Sequence, residues 1–144
     1  MARYYIGIDP GVKTGFAVWD KKQGRLLRVD TLTIVGAMSE VMELRDRMDG
    51  EVVIIFEDAR LRKWLPQEKN VSEYRGRLMG AGSVKRDCEI WETFCKKEQI
   101  DFQALPPRKG ATKWDAEYFR KVTGWKGRTS NHARDAAILV FNRI

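Results

Sequence analysis

The segment Glu51–Glu57, EVVIIFE, constrains the fold of this chain more than any other. Val52, Val53, Ile54, Ile55 and Phe56 are continuously apolar, so no alternation leaves one face for water. Such a run suits a strand covered on both faces, as in the parallel part of a mixed sheet. It stops at Glu57-Asp58, so acid emerges where the buried strand ends. A sheet with two covered faces needs helices on each side and further strands beside it.

The rest of the chain supplies them. Arg3–Asp9 is a β-branched and aromatic run that stops at Asp9-Pro10-Gly11, a turn signal. Gly15–Asp20 reads as a second strand, KKQG as a short reversal, and Arg25–Leu32 as a third strand. Three strands with short connections predict an antiparallel meander. Ala37–Met48 places Val41, Leu44 and Met48 at helical spacing, with Ser39 as a candidate N-cap. A long helix is expected over about Glu73–Glu98, with Val84, Cys88, Trp91 and Cys95 as its apolar stripe. Gly76, Gly80 and Gly82 weaken its first half or admit close approach by another backbone. Ile100–Leu105 is a short strand stopped by Pro106-Pro107. Trp114–Val122 reads as a helix with Thr112 as candidate cap. The last helix has Ser130 or Asn131 as cap and Ala133, Ala136, Ala137 and Val140 as its buried face. The order β-β-β-α-β-α-β-α-α predicts one α/β domain over residues 1–144, a mixed five-stranded sheet flanked by helices.

Three acids fall at informative places: Asp9 and Glu57 end strands, and Asp135 lies in the first turn of the last helix, three residues after His132. Carboxylates brought together repel and lose hydration unless a cation compensates. Hard oxygen donors suit Mg²⁺ or Mn²⁺. Two such ions about 4 Å apart can bind a scissile phosphate, generate hydroxide and stabilise the leaving oxygen. Each residue also has a plainer reading: Asp9 as a turn acid, Glu57 as a solvated strand end, Asp135 as a helix-start acid favoured by the dipole, His132 as a cap. Spacing alone leaves both readings open.

GIDPGVKTG at Gly7–Gly15, an apolar strand ending in Glu57, and HARDAA at His132–Ala137 together resemble the RuvC-type Holliday junction resolvases of the RNase H-like, or retroviral-integrase, superfamily. The resemblance runs over nearly the whole chain and suggests a divergent, phage-type branch. It implies an RNase H-like fold. It also implies a metal-dependent endonuclease that resolves four-way DNA junctions by paired symmetric nicks, leaving 5′-phosphate and 3′-hydroxyl ends. By the same resemblance, Asp9, Glu57, His132 and Asp135 are the catalytic and metal-binding residues, holding two Mg²⁺ or Mn²⁺ ions. His132 stands where some members carry an acid. Two symmetric nicks imply a homodimer, with the Val84-Cys88-Trp91-Cys95 stripe as candidate interface; the same stripe can instead cover the protomer's own sheet. The alternatives are a related nuclease acting on flaps, forks or RNA–DNA hybrids, and a non-catalytic DNA-binding module.

The charge of the chain fits a phosphate partner. Residues 1–57 carry 8 basic and 9 acidic side chains, whereas residues 58–134 carry 18 basic and 10 acidic. The positive excess therefore lies between Glu57 and Asp135, where the balance is +8 against +7 for the whole chain. Such an excess speaks of partners rather than of fold, and reads either as a solubilising surface or as a footprint for nucleic acid. Arg60, Arg62, Lys63 and Trp64 directly follow Glu57, so cations and an aromatic ring can meet phosphates and an unpaired base. Arg108, Lys109 and Lys113 form a second cluster, with Lys113 a candidate for the scissile phosphate. Arg75, Arg77, Lys85, Arg86, Lys126, Arg128 and Arg134 extend the basic surface.

No apolar run approaches the roughly 20 residues that span a bilayer, and the opening MARYYIGIDPG has no signal-peptide core. No membrane association and a cytoplasmic location, in a bacterium or a phage-infected host, are expected. Cys88 and Cys95 stand about 10 Å apart along a helix, too far to bridge.

Overall fold

The computed structural model describes residues 2–49, 51–62, 71–107 and 114–144. Its centre is a five-stranded mixed sheet in the order β3-β2-β1-β4-β5. The strands are β1 (Tyr4–Asp9), β2 (Thr14–Asp20), β3 (Arg25–Leu32), β4 (Val52–Glu57) and β5 (Asp101–Leu105). β1, β2 and β3 form the expected antiparallel meander. β4 runs parallel to β1 on one side and to β5 on the other. The apolar run that the sequence marks as doubly covered is thus the interior parallel strand.

Side chains alternate across each strand and sort the core into two layers. Ile6, Ile8, Phe16, Val18, Ile54 and Phe56 face one way. They pack against Ala37, Val41 and Leu44 of α1 (Ile34–Arg47) and against Cys88, Trp91 and Cys95 of α2 (Val71–Lys97). Ala17, Trp19 and Ile55 face the other way, toward Phe119 of α3 (Ala116–Thr123) and Ala133, Ala136, Ala137 and Val140 of α4 (Asn131–Val140). Full burial of a Val, Ile, Leu or Phe side chain contributes about 1.5–3 kcal/mol, so both layers hold the sheet.

The α2 stripe is therefore spent on the protomer's own sheet: Cys88, Trp91 and Cys95 have no exposed surface. It is not available as a dimer interface. Gly80 and Gly82 have open space where a side chain would stand, so neither marks a close approach.

Two caps differ from the sequence reading. α1 starts at Ile34 and is capped by Thr33, whose hydroxyl accepts from the Gly36 amide; Ser39 lies inside the helix. α3 is capped by Asp115, which accepts from the Tyr118 amide, so the helix begins after Trp114; Thr112 lies outside the described residues. In each case a nearer capping residue satisfies the first free amides. The stretch after Glu57 is not all loop, because Asp58 caps a short 3₁₀ turn, Ala59–Leu61. Among the described residues, no helix is long and apolar enough to cross a membrane.

Candidate functional site

Asp9 and Glu57 end β1 and β4, which are adjacent and parallel with Ile8 opposite Phe56. Each acid is one residue past that pair, so the two stand side by side at one sheet edge. Alternation gives both the face of Ile55, which is the face covered by α4.

α4 reaches this edge because two glycines let it lie almost on the backbone. A side chain at Gly7 would put its Cβ 2.1 Å from the Ala136 carbonyl oxygen. One at Gly15 would put its Cβ 1.9 Å from the His132 carbonyl oxygen and 2.9 Å from the Asp9 Cβ. His132 and Ala136 are one helical turn apart, so two successive turns settle onto two neighbouring strands. The alanines at 133, 136 and 137 complete the close contact. Gly7 and Gly15 belong to the GIDPGVKTG stretch, but their spacing beside a strand acid does not by itself reveal which helix they admit.

The start of α4 is fixed independently. Ser130 caps it, accepting from the Ala133 amide, and its hydroxyl also meets that of Thr31 on β3. The first turn then delivers His132, whose Nδ1 lies 3.1 Å from Asp9 Oδ2.

The electrostatics tie all four residues together. Burial pushes the Asp9 carboxyl up to about 6, and the negative charges of Asp135 and Glu57 add to that rise. The hydrogen bond and charge of His132 pull it partly back. The Asp9 side chain is 20% exposed and that of His132 48%, so the cluster opens to solvent on the histidine side. Among the described residues, no three His, Cys, Asp or Glu side chains form a ready-made cage for an ion. The donor set nonetheless fits a hard divalent cation: it is oxygen-rich, and its carboxylates repel one another at Asp9.

The basic residues fare unevenly. Arg60 is committed within the protein: Nε and Nη2 donate to Asp58 at 2.9 and 2.7 Å, and Nη2 donates to Glu92 at 3.2 Å. Burial pushes the Asp58 carboxyl up, but these bonds outweigh it and hold it below the ordinary range. Arg60 is thus a brace between β4 and α2, not an open phosphate contact. Arg62 is exposed at the end of the 3₁₀ turn. Lys63, Trp64, Arg108, Lys109 and Lys113 lie outside the described residues, and nothing is described of the Arg75 and Arg77 side chains.

Arg134 is not surface at all. It is 7% exposed and donates to the carbonyl of Trp114 at 2.9 Å, to the carbonyl and hydroxyl of Thr129 at 2.8 Å each, and to Asn131 Oδ1. This burial has no local signature, because an Arg beside a helix start reads the same whether it points outward or inward. No protein-family model matches the chain, and no curated protein matches its sequence.

Proposed function

We propose that this protein is a metal-dependent, structure-selective DNA endonuclease of RNase H-like fold that resolves four-way junctions. The observation that carries the reading is the gathering of Asp9, Glu57, Asp135 and His132 at one sheet edge, with the Asp9 carboxyl held up to about 6. A site built only for stability gains nothing from three acids in mutual repulsion. The order of the motifs and the basic excess between Glu57 and Asp135 support DNA as the substrate.

Asp9, Glu57 and Asp135, with His132 as a further donor, would hold Mg²⁺ or Mn²⁺, two ions per site. Bound there, the ions supply charge neutralisation at the scissile phosphate and a more acidic water. Asp9 orients His132 through Nδ1. In the tautomer that donates from Nδ1, the bare Nε2 is left for one of two roles: to bind a metal ion or, instead, to receive a proton from the attacking water. Glu57 keeps its place because β4 is locked between β1 and β5. A homodimer would supply the second active site that paired nicking requires. The cytoplasm, where recombining DNA is reached, is the location this reading implies.

The test is metal-dependent cleavage by Asp9→Asn, Glu57→Gln and Asp135→Asn proteins on a synthetic four-way junction. Cleavage is expected to vanish in all three while junction binding survives. Full activity in any one of them would sink the site assignment.

A further inference from the structure

From Tyr118 to Arg134 the chain contains no Asp or Glu, yet it carries Arg120, Lys121, Lys126, Arg128 and Arg134. This acid-free stretch runs directly into His132. Its first four cations are exposed and form no ion pair with another described residue. Several cations elsewhere are held by acids: Arg3 by Asp20 and Asp49, Arg28 by Asp30 and Glu40, Arg47 by Glu43, and Arg60 by Asp58 and Glu92.

Arg120 and Lys121 have a local reason to be there, because they sit in the last turn of α3 and complement its dipole. Lys126 and Arg128 have none, since they lie between α3 and α4. The connecting segment is nevertheless built to hold a shape. Gly124 ends α3 in the left-handed conformation, φ 74°. The Thr123 hydroxyl donates to the Phe119 carbonyl at 2.7 Å and accepts from the Trp125 amide at 3.1 Å. The Trp125 indole packs so close to Gly127 that a Cβ there would lie 3.0 Å from Nε1. Arg134 then grips Thr129 from beneath. A buried cation satisfied by neutral acceptors is costly to desolvate; here it fixes an exposed basic strap that leads directly into the helix start carrying His132.

We propose that the strap spanning Lys121 to Arg128 is the surface that receives the DNA phosphate backbone on its way into the site. The inference rests on the nuclease reading for its partner, but concerns a different set of residues. Repulsion by Asp9, Glu57 and Asp135 makes a fixed row of cations on the segment leading to His132 useful, because phosphate must approach a negative cluster. Lys126 and Arg128 each neutralise one phosphate, and Lys121 lengthens the track.

The experiment compares the wild-type chain, the double variant Lys126→Gln/Arg128→Gln, and a control, Lys22→Gln/Arg25→Gln, on the β2–β3 hairpin. Binding of a labelled four-way junction is measured in EDTA between 50 and 200 mM KCl, with thermal unfolding to verify the fold. Each lost phosphate contact reduces the salt slope by about 0.9, so the double variant is expected to show a slope about 1.8 shallower. Its affinity should then fall roughly 12-fold less than that of the wild type across this salt range. The control should keep the wild-type slope. An unchanged slope in a folded double variant overturns the strap, whether or not the wild type cleaves. A shallower slope in a protein that never cleaves sinks the nuclease reading and leaves the strap. Loss of affinity for phosphatidylglycerol vesicles without loss for DNA overturns it in favour of a lipid surface.

Discussion

Replacing Asp9 with Asn should make this protein more stable, although Asp9 lies at the heart of its candidate site. The ionised carboxyl is disfavoured first by burial and then by Asp135 and Glu57, and His132 offsets this only in part. Its rise from the ordinary 3.8 to about 6 corresponds to roughly 3 kcal/mol. The side chain is 20% exposed, so solvent screening makes this an upper figure. Asn keeps an oxygen to accept from His132 and carries no charge. The folded state holds the Asp9 proton more tightly than the unfolded chain, so wild-type stability falls as pH rises through the window from 3.8 to about 6. Below that window the two proteins should match in this respect, and above it the variant should lead by a constant margin. At pH 7 a lead of 3 kcal/mol raises the melting temperature by roughly 10 °C in a chain of this size. Urea and thermal unfolding in EDTA from pH 4 to 8 measure it. Millimolar Mg²⁺ or Mn²⁺ should then stabilise the wild type and not the variant, narrowing the gap by mass action. An Asp9→Asn protein no more stable than wild type at pH 7, or a margin independent of pH, would refute the reasoning.

Two other substitutions probe how the site is assembled. Gly7→Ala and Gly15→Ala each drive a methyl group into an α4 carbonyl, at 2.1 and 1.9 Å, and should each cost about 3 kcal/mol or more of unfolding free energy. Gly24→Ala, at a position with open space but positive φ, should cost about 1 kcal/mol; equal losses at all three would remove the close-packing account. Arg134→Met should lower stability by about 2–4 kcal/mol, because it strands the Trp114 and Thr129 carbonyls. Arg134→Lys should recover only part of this, since an ammonium cannot span all four acceptors; full recovery would show that charge alone matters there.

Much of the frame was legible in the sequence. The doubly apolar run at Val52–Phe56 announced an interior parallel strand, and turn residues marked the meander, because burial and chain reversal leave local signatures. The α4 face at Ala133, Ala136, Ala137 and Val140 was equally plain from its period. Long-range pairing leaves no such mark. In the sequence Gly7 and Gly15 are only the two ends of the GIDPGVKTG stretch, and nothing local marks them as the places where α4 comes to rest. Arg60 and Arg134 looked like phosphate ligands until their partners, Asp58 and Glu92 or the Trp114 and Thr129 carbonyls, were brought to them by the fold. The α2 stripe was equally apolar whether it faced a second copy or its own sheet, and the sheet claimed it. The acids were readable as a set only because each ends or begins an element; the register of β1 with β4 placed Asp9 and Glu57 at one edge.

The most direct test of the central claim is strand-mapped cleavage of a mobile four-way junction with Mg²⁺ or Mn²⁺. Fork, flap, duplex and RNA–DNA hybrid substrates are run beside it. Paired, symmetric nicks with 5′-phosphate ends are expected on the junction, absent in EDTA and absent in the Glu57→Gln protein. No metal-dependent nick in any of these substrates, or cutting of hybrid or flap with the junction left intact, would contradict that claim.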